Sequence, residues 1–242
     1  MSLFRSILVS RAGHDQQCVL MRQTLYQQRA CRRELSIGAP IIVIGGGAVG
    51  ASAALWLRTI APLREVVVIE RDSSYRYAST PRSVGGIRLQ FSCEENVRLS
   101  AFGLEVVKDA EQTLGASVNF RPSGYLFLAS AAGEAAMREA HATQTAAGAT
   151  IELLSPAAIA ADYPWLCRDG IVLGARGAGE GAFDPHLFLS ATRAAAVAKG
   201  VKFVEGSVSG LLRGRGCQSF DDVRSVKVEL RGESMLCMGR QR

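Results

Sequence analysis

The sequence predicts an α/β fold organised on a parallel sheet, and three observations predict it. Ile41–Ile44 is a four-residue β-branched run, suited to a parallel strand buried on both faces. The spacing Gly45-x-Gly47-x-x-Gly50 follows at once and opens a helical stretch, Ala48–Ile60. A second β-branched run, Val66–Ile69, comes next and ends in Glu70. A chain of 242 residues can bury a substantial core in one large domain or two small ones. With 48% hydrophobic and 21% charged residues, it is excluded from the disordered, collagenous and coiled-coil classes.

Each glycine of the turn has a separate task in a dinucleotide site. Gly45 permits the tight exit from the strand, Gly47 lets the backbone approach a pyrophosphate, and Gly50 lets the helix lie close to the sheet. The helix N-terminus presents unpaired N–H groups and a positive dipole end to the phosphates. Glu70, twenty residues beyond Gly50, can accept hydrogen bonds from both ribose hydroxyls, and its charge repels a 2′-phosphate, which disfavours NADP. The glycine pattern alone leaves FAD and NAD open. Further on, Ala78-Ser79-Thr80 and Gly85-Gly86 supply small hydroxyl and backbone donors with little bulk, suited either to lining a phosphate and a flat ring or to an ordinary surface loop.

The net charge of +6 does not mark a nucleic-acid binder, because it is concentrated at one end. Residues 1–38 carry six arginines and no lysine against Asp15 and Glu34, leaving the rest of the chain nearly neutral. Leu3, Phe4, Ile7 and Leu8 recur at helical spacing among these arginines, the composition of a mitochondrial transit peptide, with Arg32-Arg33 placed as a processing site. A disordered tail or a mis-assigned start codon explains the same composition, and the protein would then be cytoplasmic. Leu35–Leu57 is free of charge and long enough to cross a membrane, but Gly45-Gly46-Gly47 at its centre suits a strand–turn–helix instead. No transmembrane segment is expected. The six cysteines form no CxxC pair and the three histidines are far apart, so free thiols and no metal centre are expected.

The remaining chain continues the mixed pattern. Ser92-x-x-Glu95 reads as a capping box opening a helix to about Leu114, with Gly115 as its stop. Strands are expected over Phe120–Ala129, Thr150–Leu154, Ile171–Arg176, Val201–Glu205 and Ser207–Leu212, with another starting at Val226–Leu230. Helices are expected over Glu134–Ala147, from Ser155-Pro156, and from Asp184-Pro185 to Lys199. Arg88 is a weak candidate for facing a substrate carboxylate, since a surface or structural role is the commoner one for such an arginine. His186 reads as a first-turn surface residue, and Tyr125 and Trp165 as packing.

The order of these motifs resembles the FAD-binding half of the D-amino-acid oxidase and sarcosine dehydrogenase superfamily. Within it the chain is similar to a mitochondrial branch associated with complex I assembly and to its bacterial relatives. The resemblance is carried by Ile41–Asp72, Ser83-Val84-Gly85-Gly86-Ile87, Gln90-Phe91-Ser92, Pro122–Leu126, Tyr163-Pro164-Trp165 and Gly181–Pro185, in that order. It implies a Rossmann-like FAD-binding domain with an inserted α+β substrate domain. Residues 1–38 would then be the extension, 39–118 the first part of the FAD domain, 119–183 the substrate domain and 184–242 the second part. It implies that Gly45, Gly47 and Gly50 hold the FAD pyrophosphate and Glu70 the ribose of the AMP half. Ser79, Thr80, Gly85 and Gly86 would lie along the ribityl chain and flavin, and Val208 would place its backbone beside adenine. No histidine stands in Ser79–Gly86, so FAD is expected to be non-covalent. The implied activity is oxidation of the carbon beside an amine, in an amino acid or N-methyl amino acid, with a separate electron acceptor. The alternative is a non-catalytic assembly role beside respiratory-chain subunits. Superfamily members continue well past this point, and Arg213–Cys217 and Ser234–Arg242 match none of their motifs, so the resemblance implies an N-terminal portion with the C-terminal part missing.

Overall fold

The computed structural model describes residues 40–213, 223–230 and 233–238. The N-terminal extension, and with it the transit-peptide reading, lies outside the described residues, as does most of Arg213–Cys217.

A parallel three-stranded sheet carries the front of the fold. Strand β1 (Ile41–Ile44) leads through the glycine turn into helix α1 (Ala48–Ile60) and returns as β2 (Val66–Glu70). The register pairs Ile41 with Val66 and Ile44 with Ile69. After a long excursion, helix α6 (Pro185–Ala198) feeds β8 (Lys202–Glu205), which adds parallel to the other side of β2, so the order is β1-β2-β8. Ala54 and Leu55 of α1, Val66 and Val68 of β2, and Ala191 and Ala196 of α6 share one core. Small alanines on both helices bring their axes close while the β-branched strand residues fill the layer beneath. The strand–turn–helix replaces any membrane span over residues 40–57, and no helix among the described residues is long and apolar enough to cross a membrane.

Between β2 and β8 the chain builds the rest. Strand β3 (Gly86–Ile87) precedes α2 (Glu94–Lys108) and the short α3 (Ala110–Thr113). Strands β4 (Tyr125–Ser130), β5 (Glu152–Leu154) and β6 (Ile171–Gly177) form an antiparallel sheet in the order β4-β6-β5, with α4 (Glu134–Ala146) and α5 (Pro156–Asp162) alongside. Strand β7 (Gly181–Ala182) pairs antiparallel with β3, so residues 86 and 182 meet across the fold. Beyond β8, strands β9 (Ser207–Arg213), β10 (Val223–Leu230) and β11 (Glu233–Met238) make an antiparallel meander.

Several local expectations hold. Ser155 accepts from Ala158 N and caps α5, and Asp184 accepts from His186 N and Leu187 N to cap α6, each with proline in the first turn. Others are corrected. The capping box at Ser92 does not form: α2 starts one residue later behind Cys93, without a side-chain cap, and the expected single helix breaks at Asp109. The strand expected over 120–129 begins only at Tyr125, because Pro122 lacks an N–H and Gly124 turns with φ +74°. Strand β1, read as buried on both faces, leaves Ile44 54% exposed, since among the described strands it has a neighbour only in β2. Trp165, read as packing, is 77% exposed, with its ring in a T-shaped pair with that of Tyr163 at 6.3 Å. Ser234–Met238 lies within a strand that pairs with β10.

Candidate functional site

The site is built at the C-terminal ends of β1 and β2. Gly45 N donates to the Ile69 carbonyl (2.8 Å), holding the sheet to its last residue, and Gly45 then turns with φ +93°, a conformation that costs any L side chain. A Cβ on Gly50 would overlap the Gly45 carbonyl oxygen, so only hydrogen at position 50 lets the first turn of α1 lie against the strand exit. Gly47 differs. It stands at the N-cap of α1 with φ −64°, offers no side chain to cap the helix, and a Cβ there would meet nothing closer than Thr80 Oγ1 at 3.6 Å. The protein's own packing therefore leaves the space in front of Gly47 open. That opening faces a 13-residue helix N-terminus, which favours a negatively charged occupant.

The acidic strand end closes on the same turn. Glu70 Oε2 accepts from Gly46 N (2.7 Å) and Oε1 from Asp72 N (3.1 Å), which fixes the carboxylate beside the glycines while leaving lone pairs for further donors. Thr80 Oγ1 accepts from Ala48 N (3.0 Å), so Thr80 reaches the helix N-terminus. Gly45, Gly47, Gly50, Glu70 and Thr80 are thus gathered into one neighbourhood, with exposed Ser79 next to Thr80.

Gly85 and Gly86 are placed elsewhere. A Cβ on Gly85 (φ +66°) would overlap the Phe183 carbonyl oxygen, and one on Gly86 would overlap the Tyr125 hydroxyl. Both glycines are therefore demanded by the β3–β7 pairing and its neighbours. Val208 is half-buried against Ile69 of β2. Arg88, just past β3, lies over two rings, 4.8 Å from the centroid of Phe91 and 4.9 Å from that of Phe127. Among the described residues its guanidinium makes no ion pair or hydrogen bond, so its N–H edge is free. His186 is an exposed first-turn residue, as expected.

Sequence reasoning missed Tyr75. It is 8% exposed, has φ +55°, and its buried hydroxyl has no hydrogen-bond partner among the described residues and would sit 2.9 Å from a Cβ on Gly46. Burial pushes its phenol pKa above the usual value. Arg193 lies over the same ring (5.8 Å). Tyr75 thus wedges the middle of the turn from beneath, a role that no local spacing announces.

A β-strand, a glycine turn into a helix and an acid at the next strand's end define the dinucleotide-binding class of α/β proteins. The chain belongs to the FAD dependent oxidoreductase (DAO) family, whose family model matches residues 40–233. It is 39% identical over 181 residues to the FAD-dependent oxidoreductase domain-containing protein 1 of Xenopus laevis, covering 71% of this chain and 36% of that one. The Bos taurus protein of the same name is 38% identical over 179 residues, covering 70% and 37%. The chain therefore spans about a third of the length of these curated relatives. Among solved structures, L-proline dehydrogenase from P. horikoshii is similar with a TM-score of 0.66 and 29% identity, over 79% of this chain and 49% of that one. Glycine oxidase from Bacillus cereus shares the fold with a TM-score of 0.58 at 16% identity, over 82% and 53%.

Proposed function

We propose that this chain supplies the FAD site, and part of the substrate wall, of an oxidoreductase acting on the carbon beside an amine in an amino acid or N-methyl amino acid. The observation that carries the reading is the open space at Gly47. The fold accommodates a larger residue there, so the glycine answers to a ligand at the N-terminus of α1. In this reading Gly45, Gly47 and Gly50 hold the pyrophosphate, and the Glu70 carboxylate accepts from the ribose of the AMP half. Ser79, Thr80, Gly85 and Gly86 follow the ribityl chain and flavin, and the backbone of Val208 lies beside adenine. FAD, when bound there, would supply a ring able to accept hydride, with a separate electron acceptor to reoxidise it. The chain's own contribution is to bind and orient. The free N–H edge of Arg88 holds a substrate carboxylate in a fork whose orientation the two phenyl rings set.

The test is anaerobic mixing of the FAD-loaded protein with a panel of α-amino and N-methyl amino acids while the flavin absorbance is followed. Bleaching by at least one of them is expected. A protein that loads FAD and is bleached by none of them would remove the catalytic reading and leave the assembly role beside respiratory-chain subunits. Acid precipitation should leave all of the yellow colour in the supernatant, because attachment is non-covalent.

Replacing Arg88 with methionine keeps the bulk between the rings and removes the donors. Hydrogen bonds to charged groups contribute about 1.5–3 kcal/mol each, so KM for a carboxylate substrate should rise about 10- to 100-fold. The corresponding amine without a carboxylate should be unaffected, and an equal effect on both would show that Arg88 only braces the rings.

We place the protein in mitochondria on the composition of residues 1–38. Fused to a fluorescent reporter, these residues should direct it there, and a diffuse cytosolic signal would refute the assignment.

A further inference from the structure

Glu180 stands in the turn between β6 and β7 and is 1% exposed, yet it touches no cation among the described residues. Its Oε1 accepts from Leu89 N and its Oε2 from Gln90 Nε2 at 2.7 Å. Both partners are donors, so both oxygens of the carboxyl group are engaged as acceptors. Gln90 is itself 7% exposed, and the same Nε2 also donates to the Tyr125 carbonyl (3.2 Å). The fold shapes itself around this acid: a Cβ on Gly177 would overlap its carboxyl group, and Gly124 N donates to the Glu180 carbonyl (2.9 Å).

Leu89 and Gln90 directly follow Arg88 and precede Phe91, while Tyr125 lies on β4 two residues before Phe127. The carboxylate therefore ties the segment bearing Arg88 and Phe91 to the strand bearing Phe127. A buried charge dressed only by neutral donors is costly. A direct ion pair with Arg88 would relieve that cost but would occupy the N–H groups a ligand needs. Here the anion sits beside the cation's own segment and leaves those groups free.

We infer that Glu180 is a positioning residue: through Leu89 and Gln90 it holds Arg88 between Phe91 and Phe127 with its donors turned to a substrate carboxylate. The inference rests on the reading of Arg88 given above. The test measures binding of pyrrole-2-carboxylate and of its neutral amide to the FAD-loaded protein by calorimetry, with the fold checked by thermal unfolding. Glu180→Asp keeps the charge but shortens the reach, so that one of its two bonds must lengthen or break. It should weaken the carboxylate about tenfold, the loss of roughly one hydrogen bond to a charged group, and leave the amide unchanged. Gln90→Met cuts the bridge from its other end and should give the same selective loss, which keeps the test decisive if the aspartate variant does not fold. A parent protein with no preference for carboxylate over amide contradicts the reading of Arg88. A parent preference that survives in both variants, an equal loss of both ligands, or the unfolding of both variants overturns the role of Glu180 alone.

Discussion

Replacing Gly47 with valine will abolish dinucleotide binding and leave the fold standing. The backbone at Gly47 is extended, with φ −64°, so a branched residue adopts it without strain, and its Cβ would lie 3.6 Å from Thr80 Oγ1 with nothing nearer. The cost to folding is that of a poor N-cap, about 1 kcal/mol. The cost to binding is much larger, because the branched methyls fill the space in front of the N-terminus of α1, where the pyrophosphate is proposed to lie. FAD affinity, read from quenching of flavin fluorescence, should fall at least about a hundredfold, the equivalent of about 2.7 kcal/mol. A valine variant with parental affinity would place the phosphates elsewhere.

Replacing Gly50 with alanine will do the reverse and destroy the fold. The added methyl overlaps the Gly45 carbonyl oxygen, which is fixed by the positive φ of Gly45 and by the Gly45 N–Ile69 O bond at the end of the sheet. Overpacking against mobile side chains costs about 1–3 kcal/mol, and backbone pinned at both ends cannot move aside, so the upper end or beyond is expected. In urea the midpoint should drop sharply, or the variant should fail to purify folded. A parental midpoint would mean that the first turn of α1 stands off the strand. The two variants separate a glycine kept for a ligand from one kept for the chain.

What was legible in the sequence follows from how local each signal is. The unit from Ile41 to Glu70 could be read because its strand, turn, helix and second strand are contiguous and each glycine acts within a few residues. The helices behind Ser155 and Asp184 were legible for the same reason: cap and proline are adjacent. The Ser92 cap was not, because Cys93, with extended backbone and no side-chain cap, takes the N-cap position one residue later. The β3–β7 pairing joins Gly86 to Ala182, 96 positions apart, and Ile87 to Gly181, 94 apart, so nothing local to Gly86 or Gly181 announces it. Consequently Gly85 and Gly86 could be read only as small donors, whereas the structure shows them making room for Phe183 and Tyr125. Tyr75 and Glu180 were invisible for the same reason: an aromatic residue or an acid in a polar stretch reads as surface until the chain folds back over it.

In the proposed site the turn Gly45–Gly50, together with Glu70, holds a dinucleotide by its diphosphate and unphosphorylated ribose. Calorimetric titration with ADP, 2′-phospho-ADP and FAD, on the parent and on Gly47→Val, tests it most directly. ADP and FAD should compete for one site, the 2′-phosphate should weaken binding against the Glu70 carboxylate, and the valine variant should bind none of the three. Equal or tighter binding of 2′-phospho-ADP, or ADP binding unchanged by valine at position 47, would contradict it.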